Sequence, residues 1–373
     1  MMNHIERVQV ALAGGRPDRV PAGEFEIAPA LVAALLGKAA ERDGDARGSG
    51  VQPGTAGSGS GGIADFQSPA SDLQLEAAAR ELLAMDLLAV TPAAPRRDEG
   101  GGCFRDAWGR LLQQQRGLTA VRAPAITDLA AAPSYRFPDA AGFDLSPLRR
   151  WREETDFFVF AFIDGPFQAV GKLFDFTDFL LAVAGREEAI KELAAAAVAC
   201  NLELARRCRE AGAHGFVIGD DIAYERGTYI HPDLWREVFL PFLRREAEGL
   251  QALGLPVLYH SDGNLKAVLP DLAVLPLAGL QCLEPAAGMD IGALKQEYGG
   301  RWCLMGNFDL DLLAAGTPEE VAAAARQLLQ VAAPGGGYIF STSGCILGAG
   351  LPVANVLALY RTVAEWGVYQ EAP

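Results

Sequence analysis

From about residue 155 onward, short apolar runs alternate with longer polar-faced stretches. The apolar runs are "FFVFAFIDGPF", "GFVIGDDIA", "PVLYHSDGN", "GLQCLEP", "WCLMGNFD" and "YIFSTSGC". Between them lie Ala-, Leu-, Glu- and Arg-rich segments such as "EEAIKELAAAAVACNLELARRCREAG" and "TPEEVAAAARQLLQVAAPGGG". The second of these opens as a helix should, with Thr317 as N-cap, Pro318 at the first helical position and a Glu at the third. Strand-length and helix-length patterns that alternate in this way predict βα units around a parallel sheet.

Two earlier segments, "VPAGEFEIA" and "MDLLAVTP", complete eight strand candidates: 20–28, 86–91, 157–163, 215–219, 256–260, 279–283, 302–306 and 338–342. Eight strand–helix units predict a single (β/α)8 TIM barrel over residues 1–373. A doubly wound open sheet is the alternative, but no GxGxxG follows the first strand. Residues 103–122 read as a β-hairpin excursion. The Gly/Ser-rich stretch 44–64 reads as a flexible insertion.

In such a barrel the chemistry gathers at the C-terminal ends of the strands, and here nearly every strand ends in polar residues. The first carries Glu24 and Glu26. Asp164 ends the third, Asp220 and Asp221 the fourth. His260 and Asp262 end the fifth, Glu284 the sixth. Asn307 and Asp309 end the seventh, and Ser341, Ser343 and Cys345 the eighth. Residues two apart on a strand share a face, so His260 with Asp262 and Cys282 with Glu284 are same-side pairs. Each also has a plain reading: carboxylates at strand ends cap the next helix, and a lone histidine is often structural. His260, Asp262, Glu284 and Cys345 nevertheless make a workable zinc set of imidazole, carboxylate and thiolate donors, although no HExxH or CxxC supports it. Cys345, beside Gly344 and "ILGAG", reads as a thiol on a flexible rim. His214 and His231 read as surface or capping residues.

The net charge of −15 argues against a duplex nucleic-acid partner, which needs a basic face, and against anionic membrane surfaces. The apolar runs fall far short of a membrane span. The start, "MMNHIERVQVALAGGRPDRVP", has no continuous apolar core of a secretory signal, so a cytoplasmic location is expected. The six cysteines stand singly and are expected to be thiols.

The segments "ALAGGRPDRVP", "GDDIAYERGTYIHPDLWREVFLPFLRR", "GLPVLYHSDGN", "MGNFD", "GTPEEV", "APGGGYIFS" and "LPVANVLALYRTVAEWG" together resemble the uroporphyrinogen decarboxylase superfamily. The resemblance implies a (β/α)8 barrel. True decarboxylases of this superfamily carry an Arg-Gln-Ala-Gly-Arg stretch after the first strand, whose arginines bind substrate carboxylates; here "GEFEIAPALV" stands instead. Asp86 resembles the decarboxylase's catalytic Asp. The corrinoid-dependent, coenzyme M-type methyltransferase branch is similar at the fifth and eighth strands, with a pattern that maps onto His260, Asp262 and Cys345, Asp standing where those relatives have Cys.

The resemblance therefore implies zinc-assisted methyl transfer between a corrinoid carried by a partner protein and a small thiol or methoxylated substrate. Glu284, Asp262 and Asp86 are the catalytic candidates. Glu24, Glu26, Asp164, Asp220, Asn307 and Ser343 are expected to line the substrate. Decarboxylation of a tetrapyrrole polycarboxylate, and a non-enzymatic protein that binds a corrinoid carrier, are the alternatives.

Overall fold

A computed structural model of the protein describes residues 2–37, 72–115 and 118–369. The 44–64 insertion lies outside the described residues. Seven parallel strands form one sheet in sequence order: Leu87–Val90, Phe158–Asp164, Gly215–Gly219, Val257–Ser261, Gly279–Cys282, Cys303–Phe308 and Tyr338–Thr342. The gap between its edges is filled by residues 21–25. On one side Phe340 N–H donates to Pro21 O at 2.8 Å and Gly23 N–H to Phe340 O at 3.0 Å. On the other, Asp86 N–H donates to Ala22 O at 2.6 Å and Ala89 N–H to Phe25 O at 3.2 Å. The first strand is irregular because Pro21 has no N–H to give a ladder, yet it bonds both edges and closes the (β/α)8 barrel. It continues into the short strand Glu26–Ile27, which pairs with Ile346–Leu347.

The strands read as almost continuous apolar runs because both faces are covered. One face turns inward, where Phe158, Phe160, Leu258, Met305 and Ile339 share an interior cluster. The other, with Tyr259, Leu280 and Leu304, packs in the outer layer with buried residues of helices such as Glu188–Glu210 and Pro318–Ala332. The helix His4–Leu12, started by an Asn3/Glu6 capping box, adds Val8, Ala11 and Leu12 to the interior cluster and so plugs the N-terminal end. The Thr317–Glu320 capping box forms as its sequence requires. Among the described residues, no helix is long and apolar enough to cross a membrane.

The excursion is larger than the hairpin read from 103–122. It is an antiparallel sheet of four strands, Arg96–Gly100, Cys103–Asp106, Leu111–Gln115 and Leu118–Ala123, paired in order. The first of these, "RRDEG", is exposed along its whole length and carries no alternation to announce it. Cys345 also departs from expectation. It is 1% exposed and belongs to the interior cluster, not to an open rim.

Candidate metal centre

Leu258 faces inward, so His260, two residues further along the same strand, also points into the barrel just below its mouth. Its ring is 1% exposed and is flanked by Phe25 and Phe162, both edge-on, with centroids 6.3 and 5.9 Å away. Gly219 lies opposite His260 in the ladder. A Cβ there would come within 2.0 Å of the Phe162 ring, so only glycine leaves room for that phenylalanine. On the other neighbouring strand Gln281 stands directly opposite His260, and its Oε1 meets the ring Nδ1.

The Nε2 atom faces carboxylates. Asp221 Oδ1 lies 3.4 Å from it and Asp262 Oδ1 3.9 Å. The Asp262 N–H donates to Asp221 Oδ1 at 3.2 Å, which ties the loops after the fourth and fifth strands together. Gln168 fixes the base of this arrangement: its backbone N–H donates to Asp220 Oδ1, and its side-chain oxygen accepts from Asp221 N–H. Donor atoms of Asp221, His260 and Asp262 all lie within 4.8 Å of one another. One imidazole and two carboxylates, graded from a fully buried His260 to an Asp262 side chain that is 57% exposed, have the donor types that could hold a metal ion with a position left open. The residues fit a divalent ion with hard or borderline character, zinc among them.

Electrostatics agree with the geometry. Burial opposes charge on His260, but the Asp221 hydrogen bond and the Asp221 and Asp262 charges outweigh it and raise the imidazole to about 9. Burial likewise opposes ionisation of Asp221, and the His260 partnership overrides it, holding that carboxyl below the ordinary range. Asp220 is different. It is fully buried, caps the short helix Pro166–Gly171 and points away from the mouth; desolvation pushes it up to about 7.

The other expected site residues divide. Glu284 stands beside the centre, its Oε2 accepting Gly263 N–H at 3.0 Å, and desolvation followed by the Asp262 charge raises its pKa. Its donor atoms are outside the 4.8 Å group, as is the Cys345 thiol. Burial raises that thiol well above its ordinary value. Cys282, which was paired with Glu284 on sequence grounds, brings its sulfur 3.0 Å from Asp262 Oδ1 and 2.6 Å from Ser343 O. Asn307 uses its amide to hold the loop after the sixth strand through Leu283 O and Met289 O. Ser343 touches the centre through that carbonyl to Cys282. Asp164 pairs with Lys172 and accepts Asn201 on its carbonyl. Cys282, Leu283, Asn307 and Cys345 all carry positive φ, at 90°, 55°, 76° and 51°, so the rim beside the centre is backbone under local strain.

Three more expected site residues are corrected. Glu24 does not line the mouth: its carboxylate is fully buried on the outer side of the barrel, accepting from Ser341, the Thr342 backbone and hydroxyl, and Tyr360. Glu26 lies beyond it on the Ile346 pairing. Asp86 precedes its strand and therefore sits at the N-terminal end, opposite the mouth. There it accepts from His4, Arg7, Arg19 and Ala22 N–H, which is a structural charge cluster. The sequence reading placed Asp221 only among the strand-end carboxylates and did not single out Gln281. For Asp221 the signal existed, since the two-residue period from Val217 through Gly219 reaches Asp221 and not Asp220.

An eight-stranded α/β barrel with a histidine–carboxylate group at its C-terminal mouth has the framework and placement of a barrel enzyme. The chain belongs to the uroporphyrinogen decarboxylase family: the family model described as "Uroporphyrinogen decarboxylase (URO-D)" matches residues 118–366. A uroporphyrinogen decarboxylase of Chlorobium phaeovibrioides is 31% identical over 123 residues, 32% of each chain. That of Anaeromyxobacter dehalogenans is 34% identical over 142 residues, 38% of each. The chain thus matches these relatives over about a third of their length. A methyltransferase from Methanosarcina mazei superposes on 98% of the chain and 99% of its own, with a TM-score of 0.73 and 19% identity, and so shares the fold.

Proposed function

We propose that this protein is a methyltransferase whose metal ion is held by Asp221, His260 and Asp262, and that it moves a methyl group between a corrinoid on a partner protein and a small thiol or methoxylated compound. The observation that carries the reading is the convergence of those three donors, from two different strand ends, on one point at the barrel mouth. A mouth lined by Asp221, Asp262 and Glu284 suits a neutral thiol or ether better than a polycarboxylate, which it would repel.

His260 and the two aspartates would hold the ion, which supplies Lewis acidity to a thiol, hydroxyl or ether oxygen. Phe25 and Phe162 exclude water from one side of His260. Glu284, anchored by Gly263 N–H, holds or receives the proton that leaves or joins the substrate heteroatom. The partner's corrinoid would supply the methyl group, and Glu284 would take the proton released by a thiol that accepts it. The test is elemental analysis of the purified protein together with methylcobalamin demethylation across a panel of thiols and methoxylated compounds. Zinc-free, well-folded protein, or no demethylation with any acceptor, would sink the reading.

The names of the curated relatives favour a second reading, decarboxylation of a tetrapyrrole polycarboxylate. It requires coproporphyrinogen to form from uroporphyrinogen. Product formation that survives chelation and His260→Ala would replace the methyltransferase reading.

A further inference from the structure

We infer that Gln281 is the positioning residue of the centre: by accepting the Nδ1 proton of His260 it selects the tautomer that leaves Nε2 as the donor aimed at Asp221 and Asp262. This rests on the metal reading above. An amide oxygen can only accept, so its contact with Nδ1 places a proton on that nitrogen, and the proton by which Nε2 bonds Asp221 is the one an ion would displace. The carboxylates lie at the opposite nitrogen. The two residues face each other across adjacent parallel strands, both 1% exposed, so neither side chain has room to turn away. Phe25 and Phe162 restrain the ring plane from the sides. The Gln281 amide nitrogen has no hydrogen-bond partner among the described residues, so the contact with His260 is the polar interaction that fixes this side chain.

The opposite arrangement is chemically distinct. With the amide turned over, its N–H would donate to Nδ1, the ring proton would sit on Nε2, and His260 would be a donor to the carboxylates and not a ligand. Gln281 therefore decides whether the strand end is a metal site or a hydrogen-bonded cluster. Outer-shell groups that orient a ligating histidine usually carry a 10- to 100-fold effect on metal affinity.

The experiment measures zinc affinity by chelator competition in wild type, Gln281→Leu and Gln281→Glu, with thermal melts of each, and reads the His260 ring by long-range proton–nitrogen NMR assigned with His260→Gln. Gln281→Leu is expected to melt cooperatively and bind zinc roughly 10- to 100-fold more weakly. Gln281→Glu, which keeps an acceptor at Nδ1, is expected to restore affinity. Equal affinity of wild type and Gln281→Leu overturns the inference, as does failure of Gln281→Glu to bind better than Gln281→Leu. If wild type binds no zinc, the metal reading fails while this inference is still decided. In metal-free protein at high pH, a proton on Nδ1 in wild type that redistributes in Gln281→Leu supports it. A wild-type ring without a proton on Nδ1 refutes it.

Discussion

His260 Nε2 lies 3.4 Å from Asp221 Oδ1, joining the end of the fifth strand to the loop after the fourth. The pair was separable only in the folded barrel, where register sets Gly219 against His260 and leaves Asp221 just above it.

Ligand substitutions should sort by this geometry. Asp221→Ala, His260→Ala and Asp262→Ala are each expected to lower zinc affinity by more than the roughly 10- to 100-fold typical of an outer-shell loss. Glu284→Gln and Cys345→Ser should retain zinc, and Glu284→Gln should lose turnover. Equilibrium dialysis beside an activity assay checks both. Zinc loss in Cys345→Ser alone would restore the thiol to the ligand set.

Asp220 should make stability fall as pH rises. Its carboxyl is raised from the ordinary 3.8 to about 7 by burial. The folded state therefore keeps a proton that the unfolded chain releases, and stability declines between about pH 4 and 7, then levels. Asp220→Asn keeps the oxygen that caps Gln168 and removes the charge, so it should gain stability at pH 8 relative to pH 4. Urea unfolding at the two pH values measures the difference. An identical pH slope in both proteins would count against it.

Asp86 should matter for folding and not for chemistry. Asp86→Ala strands Arg7 and Arg19 without their shared carboxylate, which is expected to cost about 3–5 kcal/mol with zinc affinity intact in the folded fraction. Denaturant melts and zinc titration separate the two. Unchanged stability with lost activity would place Asp86 in the reaction after all.

Gly219→Ala should act on the centre without touching a donor. The new methyl would displace the Phe162 ring that packs on His260, an overpacking cost of about 1–3 kcal/mol. Zinc affinity is expected to fall with it, and Phe162→Leu in the same background should recover part of both losses.

Much of the architecture was legible before folding. The strand at Gly215–Gly219 and that at Tyr338–Thr342 coincide with their expected ranges, because a short β-branched and aromatic run bounded by turns has few other homes. His260 and Asp262 were visible as a same-side pair. Asp221 was hidden by its neighbour: two adjacent aspartates look alike until strand parity sends one to the mouth and the other to a helix cap. Gln281 had no signal, since an amide in "GLQCLEP" gains meaning only from the histidine across the ladder.

The sequence by itself determined the alternation of strands and helices, the barrel, the capping boxes and the concentration of polar residues at strand ends, because these follow from local periodicity and turn chemistry. Tertiary structure decided which polar residues meet. Closure through residues 21–25 turned Glu24 outward to Tyr360 and left Asp86 at the far end, while ladder register brought Asp221, His260 and Gln281 into line. Direction across a closed barrel depends on register between distant segments, and no stretch of chain carries that alone.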